Sequence, residues 1–288
     1  MKKVFTYAFL LFSIVTFSQK DFTGKAVYMS KTTMDMDNFG GRQFSEQQKK
    51  QIKERMKSTL EKTFTLNFNK SESLYKENEK LEAPGGGGRG FRFGGLSGGG
   101  TKYKNSKDNV ALESTEFFGK QFLISDDMSQ PKWELGSESK QIGNYTAFKA
   151  TMLKEVDPAD FSNFRRGPRG NNNKDEAKKD STNKASGEIK KPEKVLVTAW
   201  FTPQIPVGSG PGEYWGLPGL ILEVSTGRTT ILCTEIVINP TEESAISKPT
   251  KGKEITREKY NEVVKVKMEE MRERFRGRGG NGRGGRGR

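Results

Sequence analysis

Thr63-Phe-Thr-Leu-Asn-Phe-Asn69 alternates polar and apolar residues without a break. In an extended chain successive side chains point to opposite faces. Phe64, Leu66 and Phe68 therefore share one face, and the threonines and asparagines take the other. That period of two predicts a strand with one packed face, and a helix cannot accommodate it. Similar short runs lie on both sides, separated by turn residues. They are Gly24–Lys31, Ser71–Lys76, Lys102–Lys104, Asn109–Phe118, Lys120–Ser125, Lys132–Leu135, Ser139–Ile142, Ala147–Glu155, Lys194–Phe201, Leu220–Ser225 and Thr229–Ile238. Short connections favour antiparallel pairing, and the absence of strand–helix alternation argues against a doubly wound α/β sheet. The sequence therefore predicts an all-β domain, a mainly antiparallel curved sheet.

Two segments break the strand pattern. Ser45–Leu60 opens with Ser45 and Gln48, three apart, the spacing at which each side chain can bond the other's backbone N–H. Ile52, Met56 and Leu60 then form a narrow apolar stripe. Thr256–Phe275 places Tyr260, Val264, Met268, Met271 and Phe275 on one helical face. Each stripe is expected to rest on the sheet or barely to pack at all, with a membrane-surface role as the alternative.

The chain of 288 residues carries 50 Lys+Arg against 36 Asp+Glu, no His and one Cys, for a net charge of +14. Without histidine there is no Ser-His-Asp triad and no His-ligated metal. A single cysteine excludes an intrachain disulfide and a Cys-ligated cluster. Hydrophobic residues are 32%, low enough to imply that part of the chain stays outside a packed core.

Lys2 and Lys3 precede the uncharged apolar run Val4–Phe17, with small residues at Thr16 and Ser18. Too short to span a bilayer as a helix, this run reads as a signal peptide over residues 1–18, cleaved near Gln19. The expectation is an exported protein: periplasmic, outer-membrane-associated or secreted. Three stretches have compositions that cannot offset their ordering entropy: Pro84–Gly100, Arg165–Lys194 and the Arg-Gly tail 272–288. The domain then runs over 19–271 with two low-complexity inserts. The tail's seven arginines against Glu273 give +6 and the signal peptide +2, leaving +6 for the rest. Most of the charge is therefore no evidence for a basic face on the fold. Arg274, Arg276, Arg278, Arg283, Arg286 and Arg288 could meet an anionic glycolipid or polysaccharide. Nucleic acid is the weaker alternative for an exported chain, and a solvated tail the plainest.

The most specific stretch is Trp200–Ile221, WFTPQIPVGSGPGEYWGLPGLI. Pro203–Gly219 joins two strands by seventeen residues that include four prolines and five glycines. Loops of that length are functional or disordered. This one is rich in large apolar residues and stiffened by proline, so it reads as a rigid Ω-like loop. Leu217-Pro218-Gly219-Leu220 fits a type II turn, with Gly219 at the position needing positive φ. Trp200, Ile205, Pro206, Tyr214, Trp215, Leu217 and Pro218 are the candidate contact residues, with Gly216 and Gly219 shaping the backbone. The alternative is that the aromatics only plug one end of the core.

Gly216-Leu-Pro-Gly-Leu-Ile221 spells the hexapeptide of the GLPGLI family, secreted proteins of Gram-negative bacteria of unknown function. Ala199–Pro203, Ile205-Pro206, Leu222-Glu223, Ile142–Tyr145 and Lys149-Ala150 resemble its other conserved words. Where the family usually has a cysteine between the tyrosine and the lysine, this chain has Ala147. The likeness runs over about Gly24–Met271. It implies a β-rich fold, a curved sheet or half-open barrel similar to periplasmic lipoprotein carriers.

No catalytic constellation stands out. Cys233 lies inside an alternating run and reads as a small apolar residue. Asp126, Asp127, Asp157 and Asp160 are ordinary loop carboxylates, and phosphate-loop, dinucleotide and calcium motifs are absent. No catalytic residue, metal or cofactor is assigned. The function expected is non-catalytic: an envelope protein binding a protein partner, such as an outer-membrane protein or complex, through the rigid loop. The alternative is a carrier of lipid or a small apolar ligand on the concave face of the sheet. Asp180-Ser181-Thr182 resembles an O-glycosylation acceptor, with Ser181 as the site.

Overall fold

The computed structural model describes residues 22–33, 44–78, 100–155, 194–241 and 245–278. The expected signal peptide, nearly all of both low-complexity inserts, Ser181 and residues 279–288 lie outside these.

Twelve strands form one open sheet: β1 (Thr23–Thr32), β2 (Glu61–Asn69), β3 (Glu72–Glu77), β4 (Thr101–Asn105), β5 (Val110–Phe117), β6 (Lys120–Asp127), β7 (Glu134–Ile142), β8 (Tyr145–Glu155), β9 (Lys194–Thr202), β10 (Leu220–Thr226), β11 (Thr229–Ile238) and β12 (Lys253–Thr256). The order across the sheet is β12-β6-β5-β4-β3-β2-β1-β11-β10-β9-β8-β7. Two consecutive meanders meet where β1 pairs with β11, so the chain's first and eleventh strands join the halves. Every pairing is antiparallel except β12 on β6. The sheet does not close: β12 and β7 are its edges.

The alternation in β2 works as expected. Leu66 and Phe68 are fully buried. Leu66 pairs with Ala26 on one side and Tyr75 on the other, and Phe64 stacks on Tyr75 with ring centroids 4.8 Å apart. Together with Tyr28, Leu220, Leu222 and Cys233 they form the largest core cluster. Tyr28 is wholly buried, and its hydroxyl donates to the Ile221 carbonyl at 2.7 Å. A buried phenol needs such a partner, and this one ties β1 to the start of β10.

Among the described residues two helices accompany the sheet: α1 (Glu46–Leu60) and α2 (Arg257–Arg278). Ser45 caps α1 with both bonds of the anticipated box, Gln48 N–H to Ser45 Oγ at 3.3 Å and Ser45 N–H to Gln48 Oε1 at 3.0 Å. Helix α2 lays Tyr260, Val264 and Met268 on Phe117, Phe122 and Ile124. It continues to Arg278, seven residues into the stretch read as an unstructured tail. Arg and Glu favour helix, and the first glycine there is Gly277, so the breaking composition starts later than the charge pattern suggested. Lys132–Leu135 and Ser139–Ile142 are parts of one strand, β7, with a register irregularity between them. β12 is four residues with a single apolar side chain, too short for an alternation signal.

Candidate functional site

The connection from β9 to β10 enters the structure as a packed, hydrogen-bonded unit. Ile205 and Val207 join the cluster built on Tyr28, Leu66 and Phe68, while Tyr214 and Leu217 join a second one with Val197, Ala199, Phe201 and Ile221. All four loop side chains are at most 5% exposed. Short backbone bonds fold the loop on itself: Gly216 N–H to Gly208 C=O at 2.8 Å, Leu220 N–H to Ile205 C=O at 2.9 Å, and Ile221 N–H to Ser209 C=O at 3.0 Å. Each satisfies a group that a loop lying over a core could not give to water.

Side chains from elsewhere in the sequence clamp the loop. The indole of Trp133, just ahead of β7, donates to the Trp215 carbonyl at 2.8 Å. From β4, the ammonium of Lys104 donates to the carbonyls of Gly212 at 2.9 Å and Tyr214 at 3.2 Å. Lys104 is 6% exposed. Burial, with the charge of Lys102 second, pushes its pKa down to about 7. A cavity of about 160 Å³ lies between this amine, Ser73, Met128, Ser209, Trp215 and Gly216. Beside it, Lys102 meets Glu113 at 3.3 Å, and Arg257 reaches Glu113 and Asp126, both at 2.8 Å. Burial alone would raise the Glu113 carboxyl, but Lys102 and Arg257 outweigh it and hold its pKa below the ordinary value. This ion cluster fastens the first residue of α2 to β4, β5 and β6. Lys154 adds a bond to Glu213 at 2.5 Å from β8 to the loop.

The candidate residues divide by exposure. Ile205, Tyr214 and Leu217 are buried; Pro206 and Pro218 are exposed; Trp200 and Trp215 are half-buried. Lys140, paired with Glu223 at 2.6 Å, sits 4.3 Å above the Trp200 ring, a cation–π arrangement. The two glycines do their work differently from each other. Gly216 has φ +87°, which only glycine adopts readily. Gly219 does not have positive φ, so the type II turn expected at Leu217–Leu220 is not formed. Instead Gly219 donates to the Leu217 carbonyl at 2.8 Å. A Cβ there would stand 2.1 Å from the Thr202 carbonyl oxygen. Gly219 is glycine because two backbones touch.

Arg274 lies exposed on α2; Arg276 and Arg278 fall in its last turn, and Arg283, Arg286 and Arg288 are outside the described residues. Among the described residues no three His, Cys, Asp or Glu side chains gather to hold a metal, and no helix is long and apolar enough to cross a membrane. Cys233 faces Tyr28 across the β1–β11 pairing, and burial pushes its thiol up to about 12, an unreactive state. Lys104, Trp133, Lys102, Glu113 and Arg257 were not among the candidates from sequence. Lysines two apart in a short strand look like a solvated face, and nothing local announces that a loop a hundred residues on will cover one of them.

Residues 133–223 match the family described as Protein of unknown function (Porph_ging), a GLPGLI-type family. The match agrees with the resemblance carried by Gly216–Ile221, over part of the stretch 24–271 to which it was extended. It takes in Trp133, β7 to β9, the loop and the start of β10. No curated protein matches. Solved structures with similarity to this chain include "Structure of PNGF-II in P21 space group", 12% identical with TM-score 0.45, and "Structure of PNGF-II in C2 space group", 13% identical with TM-score 0.46. Each similarity covers 84% of this chain, which spans about a third of those chains, 33% and 32%.

Proposed function

We propose that this chain is a non-catalytic binding protein of the cell envelope, exported by residues 1–18, that docks a protein partner on the rim of the β9–β10 loop. The observation carrying this reading is the pre-set backbone of the loop. Buried anchors, its own hydrogen bonds, Trp133 and Lys104 fix it before any partner arrives. Pro206, Pro218 and the half-buried Trp215 are left at the surface. A surface ordered in advance loses little entropy on binding. An outer-membrane protein or envelope complex is the partner class. The Arg-Gly stretch would add a salt-sensitive contact to anionic glycolipid or polysaccharide, and Ser181 is a candidate glycosylation site. A carrier of lipid has less support, because Tyr214, Leu217, Ile205 and Val207 occupy space beside the sheet that an apolar ligand would need.

The test is site-specific photo-crosslinking in intact cells from Pro206 and Pro218, each replaced by a photoreactive residue. A discrete crosslinked protein from both positions, lost with Trp215→Ala while thermal unfolding stays cooperative, is the expected result. Crosslinks only to lipid, or the same product from a photoreactive residue at Lys120 on the far half of the sheet, would overturn the reading.

A further inference from the structure

The two edges of the sheet are unequal. β12 is four residues long and runs directly into α2. β7 has nine residues, regular from Ser139 to Ile142 with a register irregularity between Leu135 and Ser139, is exposed from Glu134 to Ser139, and among the described residues pairs only with β8. The regular part of this edge, from Ser139, presents unpaired N–H and C=O groups, a template for another strand.

We propose that β7 joins two copies of this chain, edge to edge and antiparallel, across a two-fold axis at Ser139. The hairpin geometry shows which groups are free. β7 turns into β8 through Gly143-Asn144, with Ile142 opposite Tyr145 and Gly143 at φ +58°. Residues flanking such a two-residue turn form a hydrogen-bonded pair, and bonding alternates from there. Ile142 and Lys140 therefore bond inward to β8, and Gln141 and Ser139 point their backbone groups outward.

Charge then selects the register. Glu138 pairs with Lys149 at 2.6 Å and Lys140 with Glu223 at 2.6 Å. Lys149 and Glu223 both lie opposite Trp200, which places Glu138 and Lys140 on one face. Outward groups can meet with the axis on residue 138, 139 or 140. On 138, Glu138 faces its own copy; on 140, Lys140 does. On 139, Glu138 faces Lys140 of the partner twice over, the one arrangement with opposite charges opposed. Such an interface is the same patch on both copies and closes at two, so it removes the open edge without starting a fibre. It does not involve the loop and stands apart from the proposal made for it.

The test is sedimentation equilibrium of the full chain, with cysteine variants in a Cys233→Ala background. The expected result is a reversible dimer. Ser139→Cys should oxidise to a covalent dimer, since hydrogen-bonded pairs have Cα atoms about 5.5 Å apart, within disulfide reach. Gln141→Cys should not, because its counterpart lies about four residues further along the strand, or about 13 Å. Glu138→Lys should raise the dissociation constant about tenfold by turning two attractive cross-strand pairs repulsive. Adding Lys140→Glu should restore affinity. Glu138→Lys also breaks the Lys149 pair, so Ser139→Pro, which removes an outward N–H, serves as second variant and should abolish the dimer. A monomer at every concentration would overturn the proposal. So would equal crosslinking at 139 and 141, a dimer indifferent to Ser139→Pro, or a monomer that instead captures a foreign strand peptide on β7.

Discussion

Stability should rise by about 2 kcal/mol between about pH 6.5 and 8.5, and Lys104 should account for the rise. The folded pKa of this amine is about 7 against an ordinary 10.5. A group with a lowered folded pKa binds more protons in the unfolded chain throughout the interval between those values. Folding therefore releases protons there, and stability increases with pH. Both states are fully protonated well below pH 7 and both neutral above about 10.5, so the slope is confined to that window. Integrating the proton difference from about pH 6.5 to 8.5 with 1.36 kcal/mol per pKa unit gives about 2 kcal/mol. The chain has no histidine, so no other side chain with an ordinary pKa titrates in the window. Cys233 acts in the opposite sense: its folded pKa of about 12 lies above the ordinary 9.0, so its contribution is lost only above pH 9. The assay is urea unfolding followed by tryptophan fluorescence at constant ionic strength, for the wild type and Lys104→Met. The variant loses two hydrogen bonds to loop carbonyls at every pH. Its disadvantage should therefore shrink by about 2 kcal/mol as the pH drops from about 8.5 to 6.5. A flat wild-type profile, or the same slope in Lys104→Met, would refute the reasoning.

Three further outcomes follow from the same contacts. Gly219→Ala should cost at least about 3 kcal/mol, because its Cβ meets the Thr202 carbonyl, and Gly216→Ala about 1–2 kcal/mol for its positive φ; chemical denaturation of both variants checks the order. Arg257→Met should destabilise by roughly 2–4 kcal/mol by leaving Glu113 with Lys102 alone, and should reduce the stability lost on acidification, since a depressed carboxyl contributes above its unfolded pKa and is lost as pH falls. The segment 133–223 expressed by itself should show no cooperative transition by circular dichroism, whereas the full chain should.

The strands were legible because one face of most of them is buried and the other is not. Phe64, Leu66 and Phe68 announced β2, and Ser45 with Gln48 announced the start of α1 to the residue. Legibility failed where burial comes from distant chain. Tyr103 and Lys104 are both buried on β4 although they point to opposite faces: Tyr103 packs with Leu112 and Leu123, and Lys104 lies under the loop. Alternation cannot report a strand covered on both sides. Gly219 was marked as special for the wrong reason. Sequence shows that a glycine follows a proline, but only the approach of Thr202 shows that space, and not φ, excludes a side chain. The Arg-Gly stretch was read as uniform, although its first residues have strong helix formers and no glycine.

The loop that carries the family hexapeptide is assembled in part by residues outside the matched stretch. Inside 133–223 stand Trp133, the β7–β8 hairpin, β9 and the loop. Outside it stand Lys104, which holds the Gly212 and Tyr214 carbonyls, and Tyr28, which holds that of Ile221. Outside it too are Leu66, Phe68 and Tyr75, against which Ile205 and Val207 pack. Each of those carbonyls, buried without a donor, would cost about 1–3 kcal/mol, and each stripped anchor its share of a core. The stretch of highest sequence specificity is therefore not the unit of folding. Part of its rigidity is supplied by β1 to β4, whose sequences carry no comparable signature because a lysine, a tyrosine and an apolar alternation are all that the task requires. A chain that shares the hexapeptide but lacks a buried donor beneath its loop would present the same words on a looser surface. The residue at the Lys104 position therefore joins Trp133 and the loop's own backbone bonds in deciding how firmly the loop is pre-set.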